Sequence, residues 1–190
     1  MRNVRGILFL DYVRMIKGHK GVDWSSHLEP DDLAYLRQQI DASGWYPMAT
    51  FERMGNAILQ CVAGGQLLPV QLWGRYSAAA LRTAHPMLLA PDDPCETLTR
   101  FRVMRETFFD FEALRVLMLH EGEAQIQIHY FMGDSAEQAA SYQTMGFFEG
   151  LLGLAGAKDI RGTFREKSWD HGSRTLLDLR WVMPEPPKGR

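Results

Sequence analysis

Six histidines and two cysteines are the side chains of this sequence best suited to hold a metal or attack a substrate. Their spacing argues against both. His19, His27, His85, His120, His129 and His171 form no pair at metal-ligand spacing. Cys61 and Cys95 are far apart and lack the partners a cysteine-based metal framework needs, a usage that fits a reducing cytoplasm. Neither a G-x-S-x-G elbow, a P-loop, a G-x-G-x-x-G turn nor an H-E-x-x-H helix occurs. Asp31 and Asp32 follow Pro30, where acids serve a helix start better than an acid/base pair. No residue is nominated as catalytic or metal-binding, and an enzyme is not expected.

Two binding features remain. Trp45, Tyr46, Trp73 and Tyr76 offer indole and hydroxyl groups that would orient a ligand in a pocket, or would simply fill a core. Phe109 and Phe148 join them as pocket candidates, and so does Cys61, which shares a helix face with Ile58 and Val62 and is otherwise an inert core thiol. The second feature is basic. Arg161, Arg165, Lys167, Arg174 and Arg180 fall on the strand positions that alternate with apolar ones. They would form a platform for an acidic protein partner, or an ordinary solvated sheet face.

The elements that must position these groups change character half-way along. Apolar residues at helical period run over 4–17, from Pro30 onward, over 48–63, 67–84 and 98–105. Small residues and prolines punctuate them at Gly18, Ser43-Gly44-Trp45-Tyr46-Pro47, Gly64-Gly65 and Pro86. The period then falls to two: Phe109 and Phe111, then Leu114, Val116 and Met118, with a turn or bulge near Glu112-Ala113. Ile126, Ile128 and Tyr130 continue it. A long helix over 135–155 follows, with Ser135 as N-cap and Gly156 as stop. Its stripe Ala139, Gly146, Gly150 and Gly153 predicts close approach to a neighbour, inside the core or across a dimer seam. Strands over 159–167 and 175–181 close the pattern. The expected fold is α+β: a helical N-terminal half packed on a four-stranded, mostly antiparallel sheet, with one long helix between the two hairpins. A single domain is expected over 1–183, with 184–190 as a flexible tail.

The 190 residues are 46% hydrophobic and 23% charged, with a formal charge of −2. That composition excludes disordered, collagen-like and polybasic classes and gives no basic field for nucleic acid. The apolar run at Ile7-Leu8-Phe9-Leu10 stops at Asp11, too short for a secretory signal, and no segment predicts a membrane span. The expected location is the cytoplasm.

Several strings together resemble an uncharacterised domain family greatly expanded in myxobacteria. They are Val4-Arg5-Gly6-Ile7-Leu8-Phe9, Gly44-Trp45-Tyr46-Pro47, Phe108-Phe109-Asp110-Phe111, Gly146-Phe147-Phe148-Glu149-Gly150-Leu151-Leu152, Gly156-Ala157-Lys158-Asp159-Ile160-Arg161 and Leu177-Asp178-Leu179-Arg180-Trp181. That family is similar to the haem nitric-oxide/oxygen-binding domains, the vinyl-reductase-like sensor domains and the small TRAPP subunits. The resemblance implies helices on a four-stranded sheet with a pocket between them, holding haem in some members and an acyl chain in others. It also implies a propionate clamp, Tyr-x-Ser-x-Arg, and an axial histidine on the helix before the sheet. Here His129-Tyr130-Phe131-Met132-Gly133-Asp134 keeps only the Tyr, and the helix over 98–105 has no histidine. The expectation is therefore no cofactor: haem is disfavoured and a small apolar ligand stays open. The function expected is a non-catalytic sensor or adaptor acting through a protein partner. The alternative is a ligand-free docking subunit, with a homodimer as one form of it.

Overall fold

The structure is a computed structural model and describes residues 2–183. The tail expected over 184–190 lies outside the described residues. Six helices make up most of the first half and the layer over the sheet: α1 Gly6–Gly18, α2 Pro30–Arg37, α3 Met48–Cys61, α4 Leu67–Ala84, α5 Pro94–Met104 and α6 Asp134–Leu154. Prolines begin α2 and α5, where the missing N–H costs nothing. Before α2, the Glu29 and Asp32 side chains each bond the other's backbone in a capping box. Asp93 caps α5 by accepting from the Glu96 N–H at 2.8 Å, so this helix begins four residues before the periodic stretch at 98.

The main sheet is wholly antiparallel, in the order β3-β4-β6-β5: β3 Leu114–His120, β4 Glu123–Ile128, β5 Lys158–Glu166 and β6 Thr175–Val182. Ala124, Ile126, Ile128, Leu177 and Leu179 are buried on its inner face. The α+β expectation holds. A second, two-stranded sheet was not expected: β1 Asn3–Arg5 pairs β2 Trp45–Pro47. Three residues are too few for periodicity to speak, and both segments border helices.

Further differences are local. Phe109 and Phe111 precede the strand rather than belong to it; Phe109 only bridges Val4, and the bulge lies between Val116 and Met118. Ser135 is not the N-cap of α6. That position is Gly133, and the buried Glu137 side chain instead accepts from the backbone N–H groups of Tyr130 and Met132 at 2.7 and 3.0 Å. The small stripe of α6 does press on a neighbour inside the molecule, α4, at Gly146 and Gly150. Gly153 is exposed and makes no such approach. Met145, on another face of α6, lies over Gly162 of β5. One continuous core joins Phe9, Met54, Phe101, Phe148, Ile126 and Leu177.

Candidate functional site

Among α1, α3, α4 and α6, at the end of the sheet where β3 begins, lies a cavity of about 90 Å³. Helix α1 supplies Leu8, Asp11 and Tyr12; α3 supplies Phe51; α4 supplies Ser77 and Leu81. Helix α6 closes the opposite wall with Ala140, Gln143, Thr144 and Phe147, and the end is made by Phe108, Phe109, Leu114 and Tyr130. Phe108 and Phe109 are there because Arg5 N–H donates to the Phe108 carbonyl and Val4 bridges Phe109, so the small sheet pins that segment over α1.

The wall is mostly apolar, and its polar groups bond in pairs. Ser77 Oγ donates to Asp11 Oδ2 at 2.8 Å. The Tyr12 hydroxyl donates to Gln143 Oε1 at 2.5 Å. The Tyr130 and Thr144 hydroxyls are 2.6 Å apart, and because Thr144 donates to the Ala140 carbonyl, Tyr130 donates to Thr144. Burial pushes the Tyr12 phenol far up, with the Tyr130 and Asp11 charges adding to it. Burial likewise raises Tyr130, against the opposing Thr144 hydrogen bond. Both phenols stay protonated donors at neutral pH. Ser77 faces a carboxylate with no imidazole lining the cavity, so the geometry suits holding a ligand and lacks the base of a serine nucleophile.

Of the pocket candidates from the sequence, the cavity contains only Phe109. Trp73 borders a separate gap of about 20 Å³ beside Tyr12. Phe148 is fully buried next to the cavity-lining Phe147, against Phe101. Tyr46 stacks on Phe9 at 4.6 Å, and Trp45 is 43% exposed under the Arg5 guanidinium. Cys61 ends α3 half-buried, outside the cavity wall. Tyr76 is 76% exposed: the buried stripe of α4 is Val70, Gly74, Ala78 and Leu81, one step around the helix from the aromatic stripe.

The sequence reading missed Asp11, Tyr12, Ser77 and Gln143. One signal was visible, an acid interrupting the apolar run of α1 directly before Tyr12. The pairing of Ser77 and Gln143 with them spans 66 and 131 residues and has no local signature.

The basic positions split. Arg165 pairs with Asp178 at 2.9 Å and Arg174 with Glu166 at 3.2 Å. Arg161 and Arg180 are exposed and directly opposite each other in register, with Glu123 on the far side of Arg180. Lys167 follows the end of β5.

No family model matches the chain. No curated relative matches it either. Solved structures do. An H-NOX protein from S. oneidensis in the Fe(II)NO ligation state is 10% identical, with a TM-score of 0.65 over 94% of this chain and 99% of that one. A variant of an Fe(II) unliganded H-NOX protein from K. algicida is 12% identical, with a TM-score of 0.67 over 94% and 96%. A mutant of the T. tengcongensis H-NOX is 11% identical, with a TM-score of 0.58 over 96% and 100%.

These neighbours overturn the expectation that haem can be set aside. The same architecture is solved repeatedly in Fe(II) states and in a study of haem distortion, so missing motif residues do not remove haem from consideration. The central cavity of this chain, as packed, does not fit the group. It has about 90 Å³, against roughly 300–1,000 Å³ for ordinary cofactor sites. Its lining contains no histidine, cysteine or methionine, and the Tyr12 and Tyr130 hydroxyls are already engaged. His85 borders a different hollow, of about 410 Å³, together with Met104 and Arg5. At 10–12% identity the neighbours speak for architecture: the chain has the fold of the H-NOX domains along nearly its whole length.

Proposed function

We propose that this chain is a cytoplasmic, non-catalytic ligand-binding sensor or adaptor domain whose central cavity takes a small molecule and whose state is read by a protein partner. The observation that carries this reading is the cavity itself, walled by four helices and the start of β3. A ligand there touches α1, α4, α6 and the start of β3 at once, so its presence bears on how the layers sit together. The apolar wall supplies affinity and the few polar groups supply orientation. Arg161 and Arg180, like charges placed side by side on the outer sheet face, support an acidic partner surface, because a bound carboxylate would relieve their repulsion.

Native mass spectrometry and an absorbance scan of the purified protein, before and after adding haem, test the cavity. Saturable binding of a small molecule that is lost in Ala140→Leu supports the reading, since this substitution fills the space from α6. A Soret band after haem addition would replace the small ligand with haem. Binding of neither leaves a docking subunit. That second reading has its own support in Leu68, Leu72 and Tyr76, an exposed stripe at four-residue spacing along α4. Joint charge reversal of Arg161, Arg165 and Arg180 tests the partner face; unchanged partner capture would remove it.

A further inference from the structure

The chemistry of the cavity wall narrows the ligand class. Six of the fourteen residues around it are aromatic: Tyr12, Phe51, Phe108, Phe109, Tyr130 and Phe147. One is charged, Asp11, and no lysine, arginine or histidine lines the space. Among the described residues Asp11 has no ion-pair partner, and its single hydrogen bond comes from the Ser77 hydroxyl to Oδ2, leaving Oδ1 unbonded. Asp11 is half-buried at the edge of an apolar hollow, and the group that would complement its carboxylate is a positive charge. Aromatic rings attract cations through their faces, so a wall rich in them suits a cation better than an anion.

From this we infer that the cavity is a binding site for a small organic ammonium ion, with the ammonium at the Asp11 carboxylate and the alkyl part among Phe51, Phe109 and Phe147. The inference rests on the ligand-binding reading above and goes further by fixing the ligand's charge. Size agrees. The space of about 90 Å³ is small beside the roughly 300–1,000 Å³ of ordinary ligand sites, which favours a short alkylammonium over a fatty acyl chain. The alternatives each leave something unmatched. An anion would sit against Asp11. A hydrocarbon would cover the Asp11 carboxylate and leave its charge matched only by the Ser77 hydroxyl. A neutral alcohol would satisfy one hydrogen bond but not the charge.

Three probes of one size and different charge separate these cases: propylammonium, propanol and propionate, each titrated against the full chain and followed by protein NMR shifts. Propylammonium is expected to bind at least about tenfold more tightly than the other two, the margin of a charge-assisted hydrogen bond. In Asp11→Asn that preference is expected to vanish while propanol binding stays. Equal binding of propanol and propylammonium to the unaltered protein would overturn the cation inference and leave the ligand-binding cavity standing. Binding of none of the three, nor of benzene, would overturn both. If Asp11→Asn does not fold, Ala140→Leu decides the location: unchanged propylammonium binding in that variant would overturn the site.

Discussion

Helices α4 and α6 meet twice, once with no space between them and once with a cavity. Along Gly74, Gly146 and Gly150 their backbones touch: a Cβ at Gly146 would collide with the Gln71 carbonyl oxygen, and one at Gly74 with that of Gln143. The same seam carries a polar clamp, the buried Glu149 carboxylate accepting from Gln71 Nε2 at 2.8 Å and Arg75 Nε at 2.9 Å. A few residues around the same helices, Ser77, Leu81, Ala140, Gln143 and Phe147 stand back from one another and leave the cavity. The contrast shows how a small domain keeps an empty space open. The seam sets the distance between the helices, so the cavity cannot collapse simply by their sliding together. A ligand then enters a preorganised wall and avoids the ordering cost that a loose pocket would impose.

The seam is where substitution should hurt most. Gly146→Val is expected to destabilise by about 4 kcal/mol or more, or to prevent folding, because the obstructing atom is backbone and cannot swing aside. Gly153→Ala is the matched control on the same helix. Its nearest neighbour would be Ile160 Cδ1 at 3.6 Å, so the gain in helix propensity should stabilise by up to about 1 kcal/mol. Urea melts of both variants check the pair, and equal losses would mean the seam is not the constraint. Glu149→Ala comes next. It removes the clamp but leaves Arg75 free to turn to solvent, for an expected loss of about 2 kcal/mol.

The cavity wall should tolerate the added volume that the seam cannot. Ala140→Leu, on the same helix as Gly146, puts its extra carbons into open space. It should change stability by less than about 1.5 kcal/mol while abolishing small-molecule binding. A loss as large as that of Gly146→Val would show the wall to be as tightly packed as the seam.

The two regions also differ in how far the sequence announces them. The glycine stripe of α6 is periodic, and periodicity is a local signal, so Gly146 and Gly150 are recognisable as contact points from their spacing alone. The partner helix α4 is equally legible, its bounds at Leu67 and Ala84 marked by Gly64-Gly65 and Pro86. Its orientation is not. Trp73 and Tyr76 form the more conspicuous stripe, yet Val70, Gly74, Ala78 and Leu81 face inward, because Gly74 and Ala78 permit the close approach of α6. The cavity is the least legible part. It is defined by what six segments fail to fill, and the groups that give it character, Asp11 with Ser77 and Tyr12 with Gln143, meet only after the helices pack. The expectation about haem failed for a related reason. Motif residues report on one mode of ligation, while the fold shared with the Fe(II) H-NOX structures is a property of the whole chain.

Acid offers a milder way to separate the two regions, because the cavity wall has a titrating support. Phe51 reaches the cavity from α3, and α3 is tied to α2 by Arg53, whose Nε and Nη2 donate to the buried Asp32 carboxylate at 2.6 and 2.7 Å. Burial alone would raise the Asp32 carboxyl. The hydrogen bonds from Arg53, Thr50 and the Glu29 N–H outweigh it and hold the group below the usual carboxylate range. A pKa lower in the folded than in the unfolded chain means that the unfolded chain takes up the proton first. The stabilisation is therefore complete above the unfolded value, about 3.9, and is lost as pH falls from there through the folded value. Asp23, Asp41 and Glu166 are also held low by hydrogen bonds, from Ser25, Ser43 and Ser173 in turn, so the whole protein's acid limb sums several groups. The difference between wild type and Asp32→Asn isolates one of them. The variant should melt lower at pH 7, and its Tm should fall less steeply than that of wild type below about pH 4. Parallel curves would mean that the α2–α3 tie contributes no proton linkage and that this wall of the cavity is held by apolar packing alone.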